Sequence, residues 1–307
     1  MNTLLPNSPL LLLLFLALTL SLFGQSATNK KDDYKLTVSV DLVGVLATVT
    51  TTEGAFVSGL KSKDFHIYEN GQLQEIVVFA READQPLRLC LLFDSSASIA
   101  SALKTQQDAA IEFLQSIFRP RIDRVSIFQF SDEVEQLQKF GNRLESLNRA
   151  IRSIKPGGGT SLYDAVSLAS ESLSTQAGRK VIVVVSDGED TTSHVSLHDC
   201  LRTTQNSEAV LYALVVQPIK GEVGRNLAGE HTMIFLANRT GGRFFKVSSA
   251  ESLRASYVNI SDELRTQYYL GYYSNQKTNN GEFRRIEIRV NDPNYTIRAR
   301  EGYYSSK

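Results

Sequence analysis

Apolar residues are distributed along this chain in three textures. From Leu10 to Phe23 they form one run, LLLLLFLALTLSLF, interrupted only by Thr19 and Ser21. From Tyr34 to Phe79, and again from Tyr268 to Tyr304, short stretches rich in Val, Thr, Ile and Tyr alternate with polar residues, the period of half-buried strands. Asn70-Gly71 marks a hairpin in the first of these regions, which reads as four short strands. The second reads as three, YYLGYYS, FRRIEIRV and YTIRAREGYY. Between them, strand-length apolar segments alternate with helix-length ones. The strands predicted there are 87–93, 124–130, 134–140, 180–186, 209–216 and 243–247. LRLCLLF, VIVVV and VLYALVV are nearly continuous apolar runs, as parallel strands covered on both faces require. The stretch 250–267 places Leu253, Tyr257, Ile260 and Leu264 on one stripe of a closing helix.

The fold class that follows is α/β: a Rossmann-like, doubly wound, mostly parallel sheet over 85–266, with a small all-β sandwich formed by the two flanking segments, 34–84 and 267–307. Neither flank is large enough to bury a stable core alone, whereas about seven strands together make a sandwich. The run 10–23 reads as the core of a secretory signal over 1–24, followed by a linker, 25–33. Fourteen residues rise only about 21 Å as a helix, too short for a bilayer core of about 30 Å, so no stable membrane span is expected after cleavage following Gly24 or Ala27. The mature chain is expected to be exported, to a periplasm or the extracellular space.

Composition removes several functions. Lys+Arg 33 balance Asp+Glu 33 in 307 residues, so the electrostatic footprint of a nucleic-acid binder is missing. Cys90 and Cys200 form no CxxC pair and read as two buried free thiols. His194 and His198 stand four apart, a spacing for one helical face, but without the Glu of HExxH or a third ligand they make a poor zinc pair.

The candidate chemistry collects where apolar strands end. LRLCLLF runs into Asp94-Ser95-Ser96-Ala97-Ser98, VIVVVS runs into Asp187-Gly188-Glu189-Asp190, and Pro156-Gly157-Gly158-Gly159-Thr160-Ser161 precedes a helix. In an open α/β sheet these loops converge at the carboxyl ends of the strands. Two carboxylates and three hydroxyls suit a hard cation: Mg²⁺, with Mn²⁺ or Ca²⁺ as alternatives. Glu189 and Asp190 read as solvated loop carboxylates, and Asp164 as a helix cap or packing group.

Asp94-x-Ser96-x-Ser98, Thr160 in GGGTSLYDA and Asp187 in SDGED resemble, in order, the three elements of the metal-ion-dependent adhesion site of von Willebrand factor type A domains. VSGLKSKDFHIYENGQLQEI before this region and RAREGYY after it look like the exported von Willebrand A related proteins of Acidobacteria. The resemblance implies metal ligation by Asp94, Ser96, Ser98, Thr160 and Asp187, and an open coordination position filled by a Glu or Asp of a protein partner. It also implies a last helix able to shift when the metal exchanges ligands. No enzyme is expected: a GxSxG elbow and a nucleotide-binding signal are both missing. The competing expectations are a structural envelope protein with a vestigial site and, behind it, a metal-assisted phosphoester hydrolase.

Overall fold

The computed structural model describes residues 42–81, 85–98, 100–216, 227–276 and 280–305, all within the compact unit Val40–Lys307. The signal, the linker and the predicted strand residues before Leu42 lie outside the described residues. Among the described helices, none is long and apolar enough to cross a membrane.

The central sheet contains β5 (Leu87–Asp94), β6 (Arg124–Phe130), β7 (Val134–Gly141), β8 (Arg179–Ser186), β9 (Val210–Val216) and β10 (Phe244–Val247), in the order β10-β9-β8-β5-β6-β7. All neighbours are parallel except β7, an antiparallel edge strand. Alternate residues of β5 enter opposite cores because side chains alternate along a strand. Leu89, Leu91 and Phe93 pack with α1 (Leu103–Ile117), α2 (Leu144–Arg152) and α6 (Ala250–Leu264). Cys90 and Leu92 pack with α3 (Leu162–Ser174), α4 (Leu197–Asn206) and α5 (Leu227–Arg239). The stripe Leu253, Tyr257, Ile260 and Leu264 is buried in the first core, as its spacing predicts. Both cysteines are buried and free; burial pushes the Cys90 thiol well up and that of Cys200 up to about 12.

The two flanks build one sandwich. One sheet has the order β13-β1-β11-β4 and the other β14-β12-β2-β3, from β1 (Leu42–Thr51), β2 (Phe65–Glu69), β3 (Gln72–Gln74), β4 (Ile76–Arg81), β11 (Tyr268–Tyr273), β12 (Phe283–Val290), β13 (Tyr295–Ala299) and β14 (Gly302–Tyr304). Strands from before and after the α/β region are interleaved in both sheets, and Val43, Val45, Phe65, Ile67, Tyr268, Leu270, Ile286 and Ile288 share one core. Asn70 and Gly71 both have positive φ, 48° and 81°, the geometry of a two-residue turn between β2 and β3.

One expectation is corrected. YTIRAREGYY is two strands in different sheets: β13 pairs with β1, and β14 with β12. The break falls at Arg300, which is buried and donates to the carbonyls of Gln205 and Gly44 and to Glu208. That guanidinium is anchored to both β1 and the α/β region at the point where the chain passes from one sheet into the other.

Candidate functional site

Strand order reverses at the centre of the sheet, with β6 on one side of β5 and β8 on the other. The crevice at such a switch point is where the connecting loops part and a ligand can enter. β5 ends there on Asp94 and β8 on Ser186, directly before Asp187. Even-numbered residues of β5 face α3, so Asp94 is carried on that side, and its carboxylate is fully buried. Its Oδ1 accepts from the Ser96 backbone N–H at 2.8 Å and its Oδ2 from the Ser186 hydroxyl at 2.6 Å. Ser96 is buried and its hydroxyl lies 3.1 Å from that of the exposed Ser98, so the two oxygens sit side by side on the first loop.

The glycine loop is locked to the first. Gly157 N–H donates to the Ser95 carbonyl at 2.7 Å, and Ala97 N–H to the Gly158 carbonyl at 3.1 Å. A Cβ on Gly158 would lie 2.5 Å from Oδ2 of Asp132, whose Oδ1 accepts from the Gly159 N–H at 2.8 Å, so a side chain there would push out the carboxylate that orders the loop. Thr160 is buried and its backbone is fully used: its N–H donates to Thr191 Oγ1, and its carbonyl accepts from the N–H groups of Thr191 and Thr192. Its hydroxyl makes no hydrogen bond among the described residues.

The third loop turns at Gly188, with φ of +86°, where an added Cβ would meet the Gly229 carbonyl oxygen at 2.3 Å. The first turn of α5 is thus pressed onto the loop that presents Asp187, a half-buried carboxylate whose Oδ1 accepts from Glu189 N–H at 3.2 Å. The five residues Asp94, Ser96, Ser98, Thr160 and Asp187 therefore stand on three mutually hydrogen-bonded loops at one end of the sheet.

Among the neighbouring acids, Asp190 departs from its expected role. Asp164, read as a helix cap or packing group, takes a packing role: it accepts from the backbone N–H groups of His194 and Val195 at 3.0 Å, pinning the segment after the third loop. Asp190, read as solvated, accepts from the Tyr163 N–H in the first turn of α3 at 3.1 Å and from the Ser193 hydroxyl at 2.6 Å. The two carboxylates clasp α3 and the β8–α4 loop together. A signal for this is present in the sequence, an Asp in the first turn of one element and an Asp in the loop of another, but pairing them needs the tertiary fold. Glu189 is exposed. His194 and His198 do not share a helix, because α4 begins at Leu197 behind a Ser196 cap.

Electrostatics set Asp94 apart. Burial raises its carboxyl from 3.8 to about 6, the hydrogen bonds from Ser186 and Ser96 oppose the rise, and the charge of Asp187 adds to it. Among the described residues no group of three or more His, Cys, Asp or Glu side chains is placed to hold a metal. The donor set here is different in kind: two carboxylates and three hydroxyls, all hard oxygens. Such a set fits a hard divalent cation, whose charge would offset both the burial and the repulsion.

Residues 89–189 match the von Willebrand factor type A domain family. No curated protein matches the chain. Among solved structures, proximal thread matrix protein 1 from the mussel byssus, in a form described as having a zinc-occupied MIDAS motif, is similar at 16% identity and a TM-score of 0.53, over 65% of this chain and 50% of that one. Another crystal structure of the same mussel protein gives a TM-score of 0.52 at 16% identity, over 64% and 51%. A conserved hypothetical protein, BatB from Bacteroides thetaiotaomicron, is 18% identical, covering 58% of this chain and 98% of its own at a TM-score of 0.47. At these identities the mussel structures share the fold alone. The segment that carries Asp94, Thr160 and Asp187, residues 89–189, is thus the part of the chain that matches the von Willebrand factor type A domain family.

Proposed function

We propose that this protein is an exported, metal-dependent protein-binding module of adhesion or scaffold type. Asp94, Ser96, Ser98, Thr160 and Asp187 hold a divalent cation, Mg²⁺ before Mn²⁺ or Ca²⁺, and a Glu or Asp of a protein partner completes the site. The observation that carries this reading is the buried carboxylate of Asp94, its carboxyl raised to about 6 by burial with a second carboxylate adding to the rise, on loops joined to one another by hydrogen bonds. The ion supplies positive charge and an open position to which a carboxylate can bind. The chain supplies the rest. Asp94 and Asp187 bring two negative charges, the Ser96–Ser98 pair and the unengaged Thr160 hydroxyl bring neutral oxygens, and the exposed Ser98 leaves that side open to a partner. The apolar leader at 10–23 supports export.

Thermal melts test the metal. Free Mg²⁺ or Mn²⁺ at about 100 times its Kd stabilises the fold by about 2.7 kcal/mol, and Asp94→Ala removes the effect. A wild type indifferent to Mg²⁺, Mn²⁺ and Ca²⁺ sinks the proposal. Pull-down from an envelope fraction, with Mg²⁺ or with EDTA, then tests the partner: the retained protein is lost with EDTA and with Asp94→Ala.

A further inference from the structure

A row of three cations crosses the opposite end of the sheet. Arg88 on β5 is in register with Arg124 on β6 and with Lys180 on β8, so the three share one face at the amino ends of adjacent strands. Like charges directly across neighbouring strands are destabilising unless something compensates them. The hydrogen-bond acceptors of the three cations among the described residues are carbonyls. Arg88 Nη1 donates to Leu87 O and Ile122 O at 3.1 and 3.0 Å, and Arg124 Nη1 donates to Asp123 O at 3.0 Å, which sets the two guanidinium groups on consecutive carbonyls. Lys180 Nζ makes a 3.5 Å contact with Ser174 O at the end of α3. The two nearest acids are committed elsewhere, Asp123 to Arg119 at 2.9 Å and Glu208 to Arg300 at 3.0 Å. Burial first and Arg124 second hold the Arg88 pKa below its usual value, with Asp123 opposing, and burial lowers that of Lys180, with Glu208 opposing and Arg300 adding to the effect.

All three side chains are partly exposed. Nε and Nη2 of both Arg88 and Arg124 donate to no protein acceptor among the described residues. Two neighbouring guanidinium forks with free edges, on strands flanked in register by Lys180, can offer paired N–H donors to a tetrahedral oxyanion.

We propose that Arg88, Arg124 and Lys180 form an oxyanion-binding surface that takes a phosphate or sulfate group, free or on an anionic lipid head group. Arg88 precedes Asp94 by six residues, about 20 Å along a strand, so this surface is separate from the metal-binding reading and does not depend on it.

The test uses the described protein with inorganic phosphate and sulfate at low millimolar concentration against chloride at matched ionic strength, read by calorimetric titration and by Tm. The expected result is saturable binding, with affinity lower by roughly tenfold or more in Arg88→Gln/Arg124→Gln, the loss of about one charge-assisted contact being sufficient for that factor. Lys180→Gln, which disturbs only one long contact, is a second variant with a smaller loss in the same direction. Asp94→Ala binds phosphate as the wild type does, which separates this surface from the other site. Equal responses in the wild type and in folded variants overturn the proposal, since non-specific salting would act on all of them alike. Sedimentation with vesicles containing phosphatidylglycerol, but not with phosphatidylcholine alone, and dependent on the same arginines, assigns the oxyanion to lipid. Phosphate binding without sedimentation assigns it to a free anion.

Discussion

Asp94 at the top of the central sheet and Glu263 near its base are equally buried, both at 0% exposure, yet their surroundings are opposite in kind. Glu263, on the last turn of α6, accepts from Thr48 Oγ1 at 2.9 Å and Tyr212 OH at 2.8 Å and is paired with the Arg298 guanidinium, so β1, β9, β13 and α6 meet on one neutralised carboxylate. Asp94 receives two hydrogen bonds and has a second acid in place of a cation. A buried charge is tolerated when paired and costly when it is not. The base of the sheet thus joins sandwich and α/β region through a carboxylate paired with Arg298 at Oε1, its Oε2 buried without a partner, whereas at the top the described residues bring hydrogen bonds but no cation to Asp94.

The comparison is broken most severely by removing the sandwich's second half. Truncation after Gln267 deletes β11, which lies between β1 and β4, and β12, which lies between β14 and β2. The amino-terminal strands are then expected to unfold; limited proteolysis that leaves 42–81 protected contradicts a shared domain. A smaller effect comes from Arg298→Ala, which leaves Glu263 buried and unpaired. The expected loss is about 3 kcal/mol, the lower end of the range for such breaks because Arg298 is itself 29% exposed. Urea denaturation reads it, and Glu263→Gln in the same background recovers part of the loss; no recovery would show that Arg298 acts through packing rather than charge.

The smallest effect is the pH response of the top. The folded pKa of Asp94 lies above its unfolded value, so the folded state keeps its proton longer and stability falls as pH rises from 3.8 to about 6, with the full penalty above that window. The shift corresponds to about 3 kcal/mol at most. Without metal, Asp94→Asn should therefore be more stable than the wild type at pH 7 and lose that advantage near pH 4. Metal should bind more tightly as pH rises through about 6, because the ion displaces the proton. An advantage for Asn that is independent of pH would remove Asp94 as the source.

Much of the central sheet was legible because each parallel strand is covered on both faces and so reads as a continuous apolar run. LRLCLLF and VIVVVS appear as strands at nearly their predicted bounds. The hairpin at Asn70-Gly71 was equally plain, since only such residues accept two consecutive positive φ angles cheaply. Local rules failed where a residue's role depends on a distant element. Nothing near Arg300 announces that it will reach Gln205 and Gly44, and so YTIRAREGYY hides a change of sheet. The partners of Asp164 and Asp190 are hidden for the same reason, each capping or pinning the other's segment across 27 or more residues.

By itself, the sequence determined the period of each element, the burial of the strands and the order of the oxygen-bearing residues, because side-chain pattern and backbone preference act over a few residues. Tertiary structure alone decided that the glycine loop locks to the first loop, that α5 presses on Gly188, that Glu263 is neutralised while Asp94 is not, and that Arg88, Arg124 and Lys180 fall in one row. These depend on strand order and register, which bring together residues far apart in the chain, and charge compensation is settled only by what those contacts place within a few ångströms.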